Sequence, residues 1–140
     1  MKIQIIDSMK FSKEMLKPRK ELGQLGHIVN VPIGMYEYLR DSLLVDNFEE
    51  NLKFCIENDI TRKNFQQVVV ADVVLVVNHK RNNIEDSIGI SALIEMSIAH
   101  LFKKEIFLLD DSPSYQEHPW AQKVAMLRPI VLKGDLQKIK

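Results

Sequence analysis

The run DVVLVVN, residues 72–78, constrains the fold of this chain more than any other stretch. Four valines and a leucine stand in it without polar interruption, and β-branched side chains suit a pleated backbone. A strand with one wet face alternates apolar and polar residues. An unbroken run belongs to a strand covered on both faces, as in the interior of a parallel sheet. Four further segments read as strands: KIQIID (2–7), HIVNVP (27–32), EIFLLD (105–110) and PIVLKG (129–134). Helical patterns lie between them, over about 10–25 closing at Gly26, 46–70, 89–103 and 114–127. Strands alternating with helices predict a parallel sheet with right-handed crossovers and helices on both faces. The expectation is one doubly wound, three-layer α/β domain over residues 1–140, with five parallel strands in flavodoxin-like order. No internal repeat, linker or low-complexity tract interrupts it.

Charge narrows the partners. Nineteen Lys and Arg balance nineteen Asp and Glu, giving a formal net charge of zero. Nothing in that balance draws the chain to a nucleic acid polymer or an anionic membrane. The one cysteine, Cys55, has no partner for an intramolecular disulfide and reads as a small apolar residue in a reducing compartment. MKIQIID is interrupted too soon for a signal peptide, and no apolar run reaches transmembrane length. A cytoplasmic protein is expected.

In an open parallel sheet, ligands bind beyond the carboxyl ends of the strands, where strand order reverses. The segments to inspect are therefore Asp7 to Lys10, Pro32 to Tyr36, Asn78 to Gly89 and Asp110 to Ser114. Glu95 stands out in the helix that follows the third of these segments. At 100° per residue Ser97, His100 and Lys104 share one side of the third helix, whereas Glu95 lies roughly 160° from Ser97. It shares its side with Ser91, Ala92, Ala99 and Phe102. A carboxylate wanted for solubility would sit with the lysine. A structural role remains open, because an acidic side chain early in a helix is stabilised by the macrodipole and the free amides.

DSMKF after the first strand, ADVVLVVN in the middle, and IGISALIEMSIAHLFKKEIFLL behind it resemble the nucleoside 2-deoxyribosyltransferase family and its nucleotide N-hydrolase relatives. The likeness runs in order over nearly the whole chain. It implies that Glu95 is a nucleophile attacking C1′ of a deoxyribosyl group, leaving a glycosyl-enzyme ester that water or a second base resolves. It implies a nucleoside or nucleotide ligand, no metal or organic cofactor, and a homodimer or larger homo-oligomer. A nucleophile must stay ionised, so Ser91 and the amides after Gly89 are expected to offset its burial. Gly89 would also let backbone approach the ligand, or simply start the helix. Ser8, Met9 and Lys10 match the loop that holds a 5′-phosphate or sugar hydroxyl, while Ser8 is also a good N-cap.

The departures from that pattern are specific. Asp7 stands where glycine is usual, Gln4 where a tyrosine is usual, and Ser87 where an aromatic is usual. Counting eight residues back from Asp72 puts Asn64 at the position of an assisting aspartate. An asparagine can hydrogen-bond a base but cannot act as an acid. Asp86 is the candidate replacement. Asp72 itself reads as structural, at the far end of its strand. NHKRNN (78–83) reads as a solvated basic loop, and His27, His79, His100 and His118 have no metal-ligand spacing. Tyr115 and Trp120 are aromatics suited to stacking on a base or to a subunit contact. The alternative from another class is a nucleotide-binding or sensing protein on the same scaffold, with weak or lost catalysis. A flavin-binding or receiver domain fits less well, for want of the acidic cluster of receivers and of a Ser/Thr/Gly phosphate loop.

Overall fold

The protein is described by a computed structural model covering residues 1–81 and 87–140. Five parallel strands form one sheet: β1 (Lys2–Ile6), β2 (Ile28–Asn30), β3 (Val73–Val76), β4 (Glu105–Leu108) and β5 (Ile130–Val131). Their order is β2-β1-β3-β4-β5, the flavodoxin-like arrangement. Register runs Ile3 beside Val29 and Val73, then Val74 beside Ile106 and Leu108 beside Val131. All four residues of β3 are buried, as the unbroken apolar run requires.

The two faces of β3 point into separate cores. Val73, Leu75 and Val77 join Ile3, Ile5, Met15, Leu22 and Met35 on one side. Val74 and Val76 join Ile6, Val68, Ala92, Met96 and Ala99 on the other. Burying each large aliphatic side chain contributes about 1.5–3 kcal/mol, which makes this central strand the anchor of both layers. The first layer carries α1 (Leu16–Gln24), α2 (Met35–Arg40) and the C-terminal 3₁₀ turn Leu136–Lys138. The second carries α4 (Ile60–Val70), α5 (Ile90–Leu101) and α6 (Gln122–Met126), with α3 (Phe48–Glu57) packed beside α4. Among the described residues, no helix is long and apolar enough to cross a membrane.

The helices depart from the expected pattern in four places. The segment 10–25 begins as a 3₁₀ turn, Met9–Met15, bent at Phe11, before α1. The segment 46–70 is two helices, broken at Asp59, whose φ of 50° is left-handed. Helix α2 was not expected; Gly34 (φ 87°) precedes it, and a Cβ there would lie 3.2 Å from the Phe54 ring. The segment 114–127 is helical only from Pro119, whose ring favours a first helical position.

Side chains tie the strand ends. Asn78 donates through Nδ2 to the carbonyls of Asp110 and Asp111 at 3.1 Å and accepts from the Asp110 amide at 2.8 Å. Asp72, at the opposite edge, accepts from the Lys2 amide at 2.7 Å, the structural task read from its position.

Candidate functional site

At the carboxyl edge of the sheet, beside β1 and between α4 and α5, lies a cavity of about 220 Å³. Its floor is Asp7, Ser8 and Met9, which follow β1 directly. One wall is α5, contributing Ser91, Ile94 and Glu95. The facing wall is α4, contributing Thr61 and Asn64.

Glu95 reaches this cavity because α5 buries Ala92, Glu95, Met96 and Ala99 on one stripe, while Ser97 and His100 face solvent. Two residues of the expected buried side differ: Ser91 is exposed and Phe102 is half exposed. Glu95 is 9% exposed, and among the described residues no donor hydrogen-bonds its carboxylate. Burial alone pushes its carboxyl up to about 7. The expected offset from Ser91 and the early amides of α5 is therefore not made: Ser91 is exposed and forms no bond to Glu95. Gly89 caps α5 with ordinary extended backbone (φ −78°), and a Cβ there would meet open space. It lies outside the cavity lining, and nothing in its geometry demands glycine.

Asn64 sits on the buried ladder Ile60–Asn64–Val68 of α4, a polar residue in an apolar row. Its Oδ1 accepts from the Ile33 amide at 2.8 Å, fixing the loop after β2, and its Nδ2 is left for the cavity. Ser8 is an N-cap: its Oγ accepts from the Lys10 amide at 3.3 Å. Lys10 does not line the cavity. Its ammonium lies 5.7 Å from the Phe11 ring centroid, over a neighbouring groove. The expected pairing of Ser8 and Lys10 around one anion is thus divided between two surfaces. Asp86 lies outside the described residues.

Arg81 corrects the reading of NHKRNN as solvated. Its side chain is 7% exposed and donates to Asp7 Oδ2 at 3.0 Å and to Glu14 Oε2. Its guanidinium also stacks on Phe11, 3.6 Å from the ring centroid. Asp7 Oδ1 meanwhile accepts from the Ser8 amide at 2.7 Å. Burial raises the Asp7 carboxyl to about 7, against the pull of Arg81 and that amide.

The remaining wall was invisible in the sequence. Tyr38 of α2 donates to Asn51 of α3, and the Cys55 thiol lies 3.5 Å from the same hydroxyl. All three line the cavity, and burial with the adjacent thiol raises the Tyr38 hydroxyl. Only the spacing of Met35, Tyr38 and Leu39, typical of a helix face, could have signalled α2. Tyr115 is exposed and Trp120 packs against the second core; neither lines the cavity. His79 bonds Asp110 at 2.8 Å, and among the described residues no group of three or more His, Cys, Asp or Glu could hold a metal ion. No protein-family model matches the chain, and no curated protein matches it.

Proposed function

We propose that this protein is a deoxyribosyltransferase or N-glycoside hydrolase of nucleosides or nucleotides, similar to the nucleoside 2-deoxyribosyltransferases, with Glu95 as nucleophile. One observation carries the reading: a carboxylate with no hydrogen-bond donor among the described residues, buried on a helix stripe, at the edge where parallel sheets bind ligands. Ionised, such a group costs the fold free energy, and perturbed carboxyls in clefts are candidates for chemistry.

The reaction balances as follows. A Glu95 oxygen bonds to C1′ as the C1′–N bond breaks, and the base departs with that electron pair, taking a proton from water. Water or a second base then attacks C1′ from the opposite side, freeing the carboxylate with net retention. Asn64 Nδ2 donates a hydrogen bond to the departing base, and Ser8 or Thr61 holds a sugar hydroxyl. The same reading puts the protein in the reducing cytoplasm, where the free Cys55 thiol persists, and pairs it with a second copy.

The test is incubation with a mixture of 2′-deoxynucleosides and 2′-deoxynucleotides, followed by mass spectrometry and chromatography. A deoxyribosyl ester on Glu95, or free base absent in Glu95→Gln, supports the enzyme. One feature favours the second reading, a binding or sensing protein: the resemblance assigns an assisting acid to position 64, and Asn64 there cannot donate a proton. Ligand binding with neither adduct nor base release decides for it.

A further inference from the structure

The loop after β1 already contains its own anion. Asp7 spends one carboxylate oxygen on the Ser8 amide and the other on Arg81. The Lys10 amide is taken by Ser8 Oγ and the Phe11 amide by the Ser8 carbonyl at 3.0 Å. Three of the four amides from Ser8 to Phe11 therefore bond within the loop. Arg81 is shared between Asp7 and Glu14, so one cation faces two carboxylates. With Glu95 opposite, the cavity wall carries two acidic side chains and, among the described residues, no lysine, arginine or histidine. The sequence of residues 82–86, NNIED, holds no basic residue either.

We propose that this cavity selects an uncharged 2′-deoxynucleoside over its 5′-monophosphate, and that Asp7 sets the preference by occupying the amide and guanidinium donors a phosphate would need. The inference rests on the function proposed above and narrows its substrate class. A phosphate brought to this wall would meet two carboxylates across a partly desolvated cavity, and such like-charge contacts are strongly unfavourable. A neutral 5′-hydroxyl instead brings no charge against Asp7 and finds the Ser8 hydroxyl in the cavity lining.

The experiment uses the 140-residue chain at pH 8, above the value of about 7 for both carboxyls. The four common 2′-deoxynucleosides and their 5′-monophosphates are compared by kcat/KM for base release and by calorimetric titration of Glu95→Gln, which binds without turnover. The nucleosides should be favoured roughly tenfold or more in base release, and in the same direction but less strongly in Glu95→Gln, where Asp7 alone keeps its charge. Asp7→Asn keeps the acceptor for the Ser8 amide, removes the charge and leaves Arg81 with Glu14 as its carboxylate partner, and should narrow that preference about tenfold. Equal or better use of the monophosphates overturns the inference and leaves the glycosyl-transfer reading standing. A nucleoside preference unchanged in a folded Asp7→Asn overturns the role of Asp7. If neither class binds, both the inference and the function beneath it fall.

Discussion

At the scale of single residues, Glu95 joins stability to chemistry. Its folded carboxyl sits at about 7 against an ordinary value of 4.5, because burial disfavours its charge. The folded state therefore holds this proton more tightly than the unfolded chain. That stabilising contribution is complete below pH 4.5 and is lost as pH rises through about 7, with Asp7 acting in the same direction. Glu95→Gln should thus raise stability at pH 8 by up to about 3 kcal/mol and by little near pH 4.5, measured by urea unfolding at both pH values. Catalysis runs the other way. A nucleophile must be ionised, so base release should climb with pH and level off above about 7. Glu95→Gln should abolish it while keeping ligand affinity within about tenfold, since the amide keeps the shape and loses the attacking charge. A pH–rate profile flat from 5 to 8, or full activity in the variant, would exclude Glu95 as nucleophile. Asn64→Asp is the companion. Its carboxylate could still accept from the Ile33 amide, and a positioned acid is worth roughly 10²–10⁴-fold, so base release should rise by that order only where Glu95 is intact.

The same residues show how far a site can be read from a sequence. Ser8, Met9, Asn64, Ser91 and Glu95 line one cavity. Asn64 is marked only by the family resemblance, whereas Ser8 and Met9 follow a strand end and Glu95 sits out of pattern on its helix. Both signals are local. Lys10 escapes them because the 3₁₀ turn bends at Phe11 and carries its side chain to the next groove. Tyr38, Asn51 and Cys55 escape for a different reason: the packing of α2 against α3 brings them together, and no spacing encodes that contact.

At the scale of elements, the break between α3 and α4 is the sharpest departure. Phe48, Leu52, Ile56, Ile60, Asn64 and Val68 form one unbroken i, i+4 row, which reads as a single long helix. In the structure the first three are exposed and the last three buried. Asp59, left-handed at the junction, redirects the row from solvent to core without glycine or proline to announce the turn. Aspartate tolerates that conformation better than most residues but still carries strain of order 1 kcal/mol. Its ion pair with Arg62, 3.7 Å apart and exposed, offsets little of this. Asp59→Gly should therefore raise stability by about 0.5–1 kcal/mol, and Asp59→Ile should lower it by at least 1 kcal/mol. Thermal unfolding of the two variants checks the sign; a stabilising isoleucine would mean that the junction is not under strain.

At the scale of the whole molecule, the strand pattern sufficed for the architecture. A parallel sheet needs crossovers, and alternation of apolar runs with helical periods leaves few other arrangements. What alternation does not specify is which surfaces stay open. Ile90 and Leu101 of α5 are 82% and 72% exposed, and Ile94 is half exposed at the mouth of the cavity. Apolar side chains so placed are costly in water and commonly mark contacts between copies. If a second copy covers α5, a two-fold interface places each residue in the contact twice. Ile90→Lys with Leu101→Lys then removes four large aliphatic contacts per dimer, and at about 1 kcal/mol each the dissociation constant should rise by at least 10²-fold. Because both side chains face solvent in the isolated chain, circular dichroism and monomer stability should hardly change. Sedimentation velocity of the wild type at tens of micromolar should show a dimer or larger species, and the double variant a monomer. The parallel pair Leu52→Lys and Ile56→Lys on α3 locates the interface: if only this pair dissociates the assembly, the partner sits over α3. A wild type that sediments as a monomer rules out self-association through either helix.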